Sequence, residues 1–232
     1  MFWKNPSKKY IEKQILKLKN IHASHEAREK TMKKLLNIGT IESFLALLER
    51  FKIVADSTYW DEIEKLWIIK EIILKKDTAK KALKYFISKE NNISLPIVAL
   101  EKLCSADELL SFLKNVIISK DPNSHHDINC KQEVIKALHF YHNLDLSIIS
   151  PFLYDYSDDI KCLVIDIIFS GGDIKYLLLA IQMIEDDNLS PRVLNFLALK
   201  IIEKNMQIPL HTTLAKMISN SYTLKSNYLV PK

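Results

Sequence analysis

The chain has 232 residues, 48% apolar and 26% charged, with a formal net charge of +5, a composition that belongs to globular proteins with length enough for a sizeable core. Three glycines and seven prolines supply too few turn formers for an all-β or dinucleotide-binding fold, so helices are favoured before any pattern is read. No apolar run is long enough to span a bilayer, since the stretch 66–74 is interrupted by Lys70 and Glu71.

In chain order, the opening Met-Phe-Trp-Lys-Asn-Pro lacks the apolar core and cleavage site of a signal peptide, so a cytoplasmic protein is expected. Residues 8–19 predict an amphipathic helix with Ile11, Ile15 and Leu18 on one face and lysines on the other. This segment, 7–20, is read as a cap over the open end of a helical stack. Beyond it one helical template recurs. Ile41, Phe44, Leu45 and Leu48 are spaced i, i+3, i+4, i+7; so are Ala79, Ala82, Leu83 and Phe86, then Leu109, Phe112, Leu113 and Val116, then Ile174, Leu177, Leu178 and Ile181. Each run places its apolar residues on one stripe of a helix.

Each of these helices follows another across a short link. The first helices are predicted at 26–38, 61–74, 95–103, 131–141, 158–170 and 191–204, recurring roughly every 30 to 37 residues, the length of a stacked helical repeat. Gly39 and the pair Gly171-Gly172 suit the left-handed position that closes a helix, while Thr40, Asp77, Ser105 and Asp173 suit the N-cap of the next. Links this short force antiparallel neighbours. Pro151 is expected to kink the second helix of the fourth pair. The last residues, 222–232, read as a short tail, disordered or docked on a partner. The expected fold is therefore all-α: a right-handed α-solenoid of about six helix pairs, a single domain over 1–232.

Charge is unevenly spread. Residues 1–40 carry a balance of +7, residues 41–90 of +1, and residues 91–232 of −3. Arginine occurs only at Arg28, Arg50 and Arg192, and every other basic residue is lysine, as a coding bias would leave it. Cys104, Cys130 and Cys162 are odd in number and set in helical patterns, so buried free thiols are expected and a disulfide framework is not.

The run Ser-Asp-Asp-Ile-Lys-Cys-Leu-Val-Ile-Asp-Ile-Ile-Phe-Ser-Gly-Gly-Asp at 157–173 resembles the bacterial HEAT-like repeat first recognised in phycobilisome lyases. That unit sets acids before a basic residue, then apolar positions, then Gly-Asp before the second helix. His25-Glu26-Ala27-Arg28 through Asn37-Ile38-Gly39 looks like another copy, and Ser190-Pro191-Arg192-Val193 opens a third. The pairs starting near Leu95 and Lys131 depart from the pattern. The resemblance implies a fold unit and no function, because such repeats serve scaffolds, lyase subunits and proteins of other roles.

Four clusters could carry chemistry. His125, His126, Asp127 and Cys130, with His139 and His142 beyond, are zinc-ligand types, but their spacing suits a solvated loop entering a helix, and no metal is expected. The acids Asp155, Asp158, Asp159, Glu185, Asp186 and Asp187 fall at repeat junctions, where capping is the favoured role. Trp60 and Trp67 stand one heptad apart; Asp61 beside Trp60 would be the acid that a HEAT-like DNA glycosylase sets among aromatics. The favoured reading has Trp60 stapling the helix start and Trp67 filling the core. Last, Lys80, Lys81, Lys84, Tyr85, Lys114, Lys175 and Tyr176 lie off the apolar stripe on second helices, which in a solenoid share the concave face, so together they form the candidate binding surface.

No nucleophile elbow, phosphate loop or His-Glu-x-x-His motif occurs. The leading function is a non-enzymatic scaffold or adaptor that binds a protein or peptide, without cofactor. The rivals are nucleic-acid binding or DNA repair through the lysine face, disfavoured by the scarcity of arginine, and a lyase-like or chaperone subunit.

Overall fold

The computed structural model describes residues 7–140, 144–186, 188–207, 222–225 and 228–231. The expectations attached to the first six residues, to Tyr141, His142 and Asp187, and to a second helix after Lys204 lie outside the described residues. The described chain is predominantly helical, and it divides into two compact units, residues 1–113 and 114–232.

The first unit opens with α1 (Lys8–Leu18), capped by Ser7, whose hydroxyl accepts from the Tyr10 amide. Ile11 and Leu18 are buried, and α1 packs on both α2 (His25–Ile38) and α3 (Ile41–Leu48). The α2–α3 corner follows the sequence rule closely. Gly39 takes φ +72°, and Thr40 caps α3 reciprocally with Ser43; only a residue without Cβ adopts that φ cheaply. A short 3₁₀ turn, Glu49–Lys52, leads on to α4 (Thr58–Ile73), α5 (Lys76–Lys89), α6 (Ser94–Glu101) and α7 (Ala106–Ile118). Helices two apart in sequence pack together as well as neighbours: α2 on α4, α3 on α5, and α4 on α6. The core between them is apolar and close-packed, with Phe44, Leu47, Leu48, Ile68, Ile72, Leu83 and Ile87 fully enclosed. Each such side chain contributes about 1.5–3 kcal/mol by leaving water.

Asp77 is not an N-cap. Helix α5 begins at Lys76, which sits at φ +44°, and no side chain caps its first turn. The other predicted caps act as expected: Ser105 accepts from Glu108 N and Asp173 from Lys175 N.

In the second unit, α8 (Ile128–His139) packs on α9 (Asp158–Gly171), which in turn packs on α10 (Ile174–Gln182) and α11 (Pro191–Glu203). Helix α9 closes on Gly172 at φ +72°. Two departures from expectation occur here. Between α8 and α9 there is no kinked α-helix among the described residues but a pair of 3₁₀ turns, Leu146–Ile148 and Ser150–Tyr154, with Pro151 in the first turn of the latter; proline has no N–H to give and favours a start over an interior. The C-terminal tail is a hairpin: β1 (Tyr222–Lys225) pairs antiparallel with β2 (Tyr228–Pro231), Leu224 opposite Leu229. Leu229 is buried, and β2 packs on α11.

Candidate functional site

The surface lysines divide between the units. In the first, Lys80, Lys81, Lys84 and Tyr85 all lie on α5. Lys80 and Lys84 both reach Glu108 of α7, at 2.9 and 2.7 Å. The hydrogen bonds from Lys84 and then Lys80 hold the Glu108 carboxyl down at about 2. Lys84 also lies 5.5 Å from the centre of the Phe112 ring. Two of the predicted phosphate ligands are thus already engaged, while Lys81 and Tyr85 stand exposed one turn apart. Lys80, with Lys76 and Lys102, also lines a small cavity of about 380 Å³.

In the second unit, Lys175 is exposed and its ammonium sits 5.0 Å from the centre of the Tyr176 ring. Tyr176 itself is buried, so its face is not offered to a base. Lys114, half-buried, and Lys175 both help lower the Asp145 carboxyl, after the larger effect of its hydrogen bonds to Ser147. Lys175 and Tyr176 line a cavity of about 560 Å³ together with His139, Asp145 and Asp173.

The most concentrated charge among the described residues is one that apolar spacing does not announce, and it is internal. Glu64 of α4 is fully buried and receives the Nε of Arg28 at 3.0 Å, the Nε of Arg50 at 2.7 Å, and a contact from His25 Nδ1 at 2.9 Å. Arg50 turns its Nη2 to Asp61 at 2.6 Å, and Asp61 also accepts from the Ala55 amide and from Lys65. Arg28 points its Nη1 at the carbonyls of Asn20, Ile21 and Ala23. The cluster therefore pins α2, the 3₁₀ turn after α3, and α4 to one another. Burial pushes the Glu64 carboxyl up, but the bonds from Arg28, His25 and Arg50 outweigh it and hold it below its ordinary value. Burial likewise opposes, and Lys65, the Ala55 amide and Arg50 overcome, for Asp61. Asp61 is thus committed to structure. Above it Trp60 is partly exposed and stacks on His25, ring centres 3.9 Å apart, and Trp67 is only half-buried.

The second unit has a smaller version. Lys131, on α8, is fully buried; its ammonium reaches Asp155 at 2.6 Å and the carbonyls of Asp121, Pro122 and Ser124. It thereby closes the loop that carries His125 and His126, whose rings lie 3.9 Å apart. Asp127 pairs with Lys120 at 3.0 Å. Among the described residues no three His, Cys, Asp or Glu side chains converge as metal ligands. Burial pushes the Cys104, Cys130 and Cys162 thiols up, the opposite of what a nucleophile needs. Asp158 accepts from Ser190 and Asp159 from Arg192, while Lys200 reaches Asp166 at 2.8 Å, so α9 and α11 are joined by three polar contacts.

These buried charges do leave a trace in the sequence. Asp61 and Glu64 continue the stripe of Ile68 and Ile72, and Lys131 that of Val134, Ile135 and Leu138; a charged residue at a core position of a helix is a residue with a buried partner. No helix among the described residues is long and apolar enough to cross a membrane. Comparison with protein-family models, curated proteins and solved structures returned no match.

Proposed function

We propose that this chain is a non-catalytic interaction module, a solenoid of HEAT-like helix pairs whose outward residues bind another protein. The observation that carries the reading is the pattern of ties between successive first helices. Arg28 of α2 meets Glu64 of α4 across 36 residues, and Arg192 of α11 meets Asp159 of α9 across 33. Both separations are about one repeat long. The buried tie stiffens the scaffold while the exposed Arg192–Asp159 pair marks the same register with little strength of its own, and a stiff surface loses little entropy when a partner docks. The nucleic-acid alternative is weakened by the engagement of Lys80 and Lys84 with Glu108, which leaves fewer lysines to release counterions from phosphate.

The test places a photo-crosslinking residue at the exposed Tyr85 in cells and, in parallel, titrates the purified chain with DNA and RNA at low salt. A discrete protein adduct, with no nucleic-acid affinity, is expected. Nucleic-acid binding that falls steeply with salt and is abolished by Lys81→Glu, with no protein adduct, would replace this reading with its rival.

A further inference from the structure

Between α1 and α3 runs a groove of about 600 Å³, within the size range of ordinary binding pockets. Its floor is apolar: Ile11 and Ala46 lie buried at the base, and Ile15 and Leu45 are half-buried in the walls. Its rim is acidic. Glu12 on α1 and Glu42 on α3 are exposed and form no ion pair among the described residues. The third carboxylate, Glu49, is already held by Lys19 and Lys52. One ammonium, Lys8, lines the groove beside these three carboxylates. Glu12 stands out in a basic stretch, since residues 1–40 carry a net charge of +7, and residues 41–49, which supply Glu42 and Glu49, hold no basic residue.

We propose that this groove receives a cationic amphipathic helix from a partner protein; the inference rests on the interaction-module reading and names the partner's chemistry. Apolar side chains one turn apart would fill the floor, and flanking lysines or arginines would meet Glu12 and Glu42 on opposite walls. The walls are 11 and 8 residues long, or about 16 and 12 Å at 1.5 Å per residue, so two to three turns of the partner are read. Phosphate is repelled by the same carboxylates. Self-association through the outer side of α1 is a poorer fit, because that lysine-rich side exposes only Tyr10 and Leu16 as large apolar residues, too little to cover the floor.

The test uses a labelled, helix-stapled peptide of about three turns, with leucines at i, i+3, i+4 and i+7 and lysines elsewhere. Its binding to the full chain is followed by fluorescence anisotropy, and a glutamate-for-lysine version serves as control. The lysine peptide is expected to bind, and the glutamate peptide at least tenfold more weakly. Glu12→Lys with Glu42→Lys, both exposed positions, should cut affinity at least tenfold without altering thermal unfolding. Glu62→Lys with Glu71→Lys on α4 should leave it unchanged. Equal loss in both variants means non-specific attraction and overturns the proposal, as does no binding. A concentration-dependent dimer that Glu12→Lys with Glu42→Lys dissociates assigns the groove to a second copy, and also overturns it. If the peptide fails while the Tyr85 adduct persists, only the groove assignment falls; loss of the adduct in favour of nucleic acid removes the module reading itself.

Discussion

Replacing Glu64 with glutamine keeps the size of the side chain and removes the charge that Arg28 and Arg50 share. Both guanidiniums are buried, with Arg50 wholly enclosed, so neither can recover its loss from water. What remains is partial: Arg28 keeps the carbonyls of Asn20, Ile21 and Ala23, and Arg50 keeps Asp61 and the Ile53 carbonyl. Breaking a buried ion pair by removing one partner costs about 3–5 kcal/mol. With these residual acceptors the expectation falls at the lower end, about 3 kcal/mol. At a urea slope of ~1–3 kcal/mol per molar the midpoint drops by at least about 1 M. Trp60 and Trp67 both lie on α4 in the first unit, so their fluorescence reports its unfolding. Glu62→Gln, on the same helix but exposed, is the control and should move stability by no more than about 0.5 kcal/mol. If Glu64→Gln proved as mild as Glu62→Gln, the cluster would not be a clamp.

The same logic applies to Lys131→Met, which leaves Asp155 buried without its partner; about 3–5 kcal/mol of stability should go, against almost none for the exposed Lys136→Met, as read by urea unfolding followed by circular dichroism. The carboxyls of Glu108, at about 2, and of Glu64 and Asp61, also lowered, have folded values below their unfolded ones. Their contribution is therefore full above the ordinary carboxylate range and disappears as pH falls toward 2; stability measured down that range should decline less in Glu108→Gln than in the parent. Gly39→Ala meets open space but must hold φ +72°, so a loss of about 1 kcal/mol is expected from strain alone. A thiol reagent should modify the fully buried Cys130 only at the rate of unfolding.

The helices are legible because apolar spacing and caps agree: Thr40, Ser105 and Asp173 each cap a helix start as their place in the short links implies. Where local signals conflict, legibility fails. Asp77 has the chemistry of a cap, yet the two residues after α4 leave too little chain, and α5 starts early on a left-handed lysine. Pro151 implies a kink only in a helix that forms, and the segment from Leu146 to Tyr154 settles into 3₁₀ turns instead. The hairpin has a signal, two runs rich in tyrosine, leucine and β-branched residues on either side of Ser226-Asn227, but it is masked by the expectation that the end of a helical chain frays. The candidate surface is harder. Helical spacing tells which residues leave the stripe, not which find a partner on the next repeat, and so it cannot show that Glu108 takes up Lys80 and Lys84 or that Tyr176 is covered.

Arginine is scarce in this chain, and its positions are informative for that reason. Wherever a point charge at the surface suffices, the residue is lysine. The three exceptions all make inter-helix ties, two of them converging on one carboxylate. A guanidinium spreads its donors over a planar fork, so Arg28 meets Glu64 through Nε and the carbonyls before α2 through Nη1, whereas the ammonium of Lys131 serves Asp155 and three carbonyls from a single point. A lysine at Arg28 would keep the charge and lose the latch on the loop before α2. In a lysine-biased chain, the rare arginine thus works as a signpost to joints under geometric demand, visible in the bare sequence to a reader who counts what is missing as well as what is abundant.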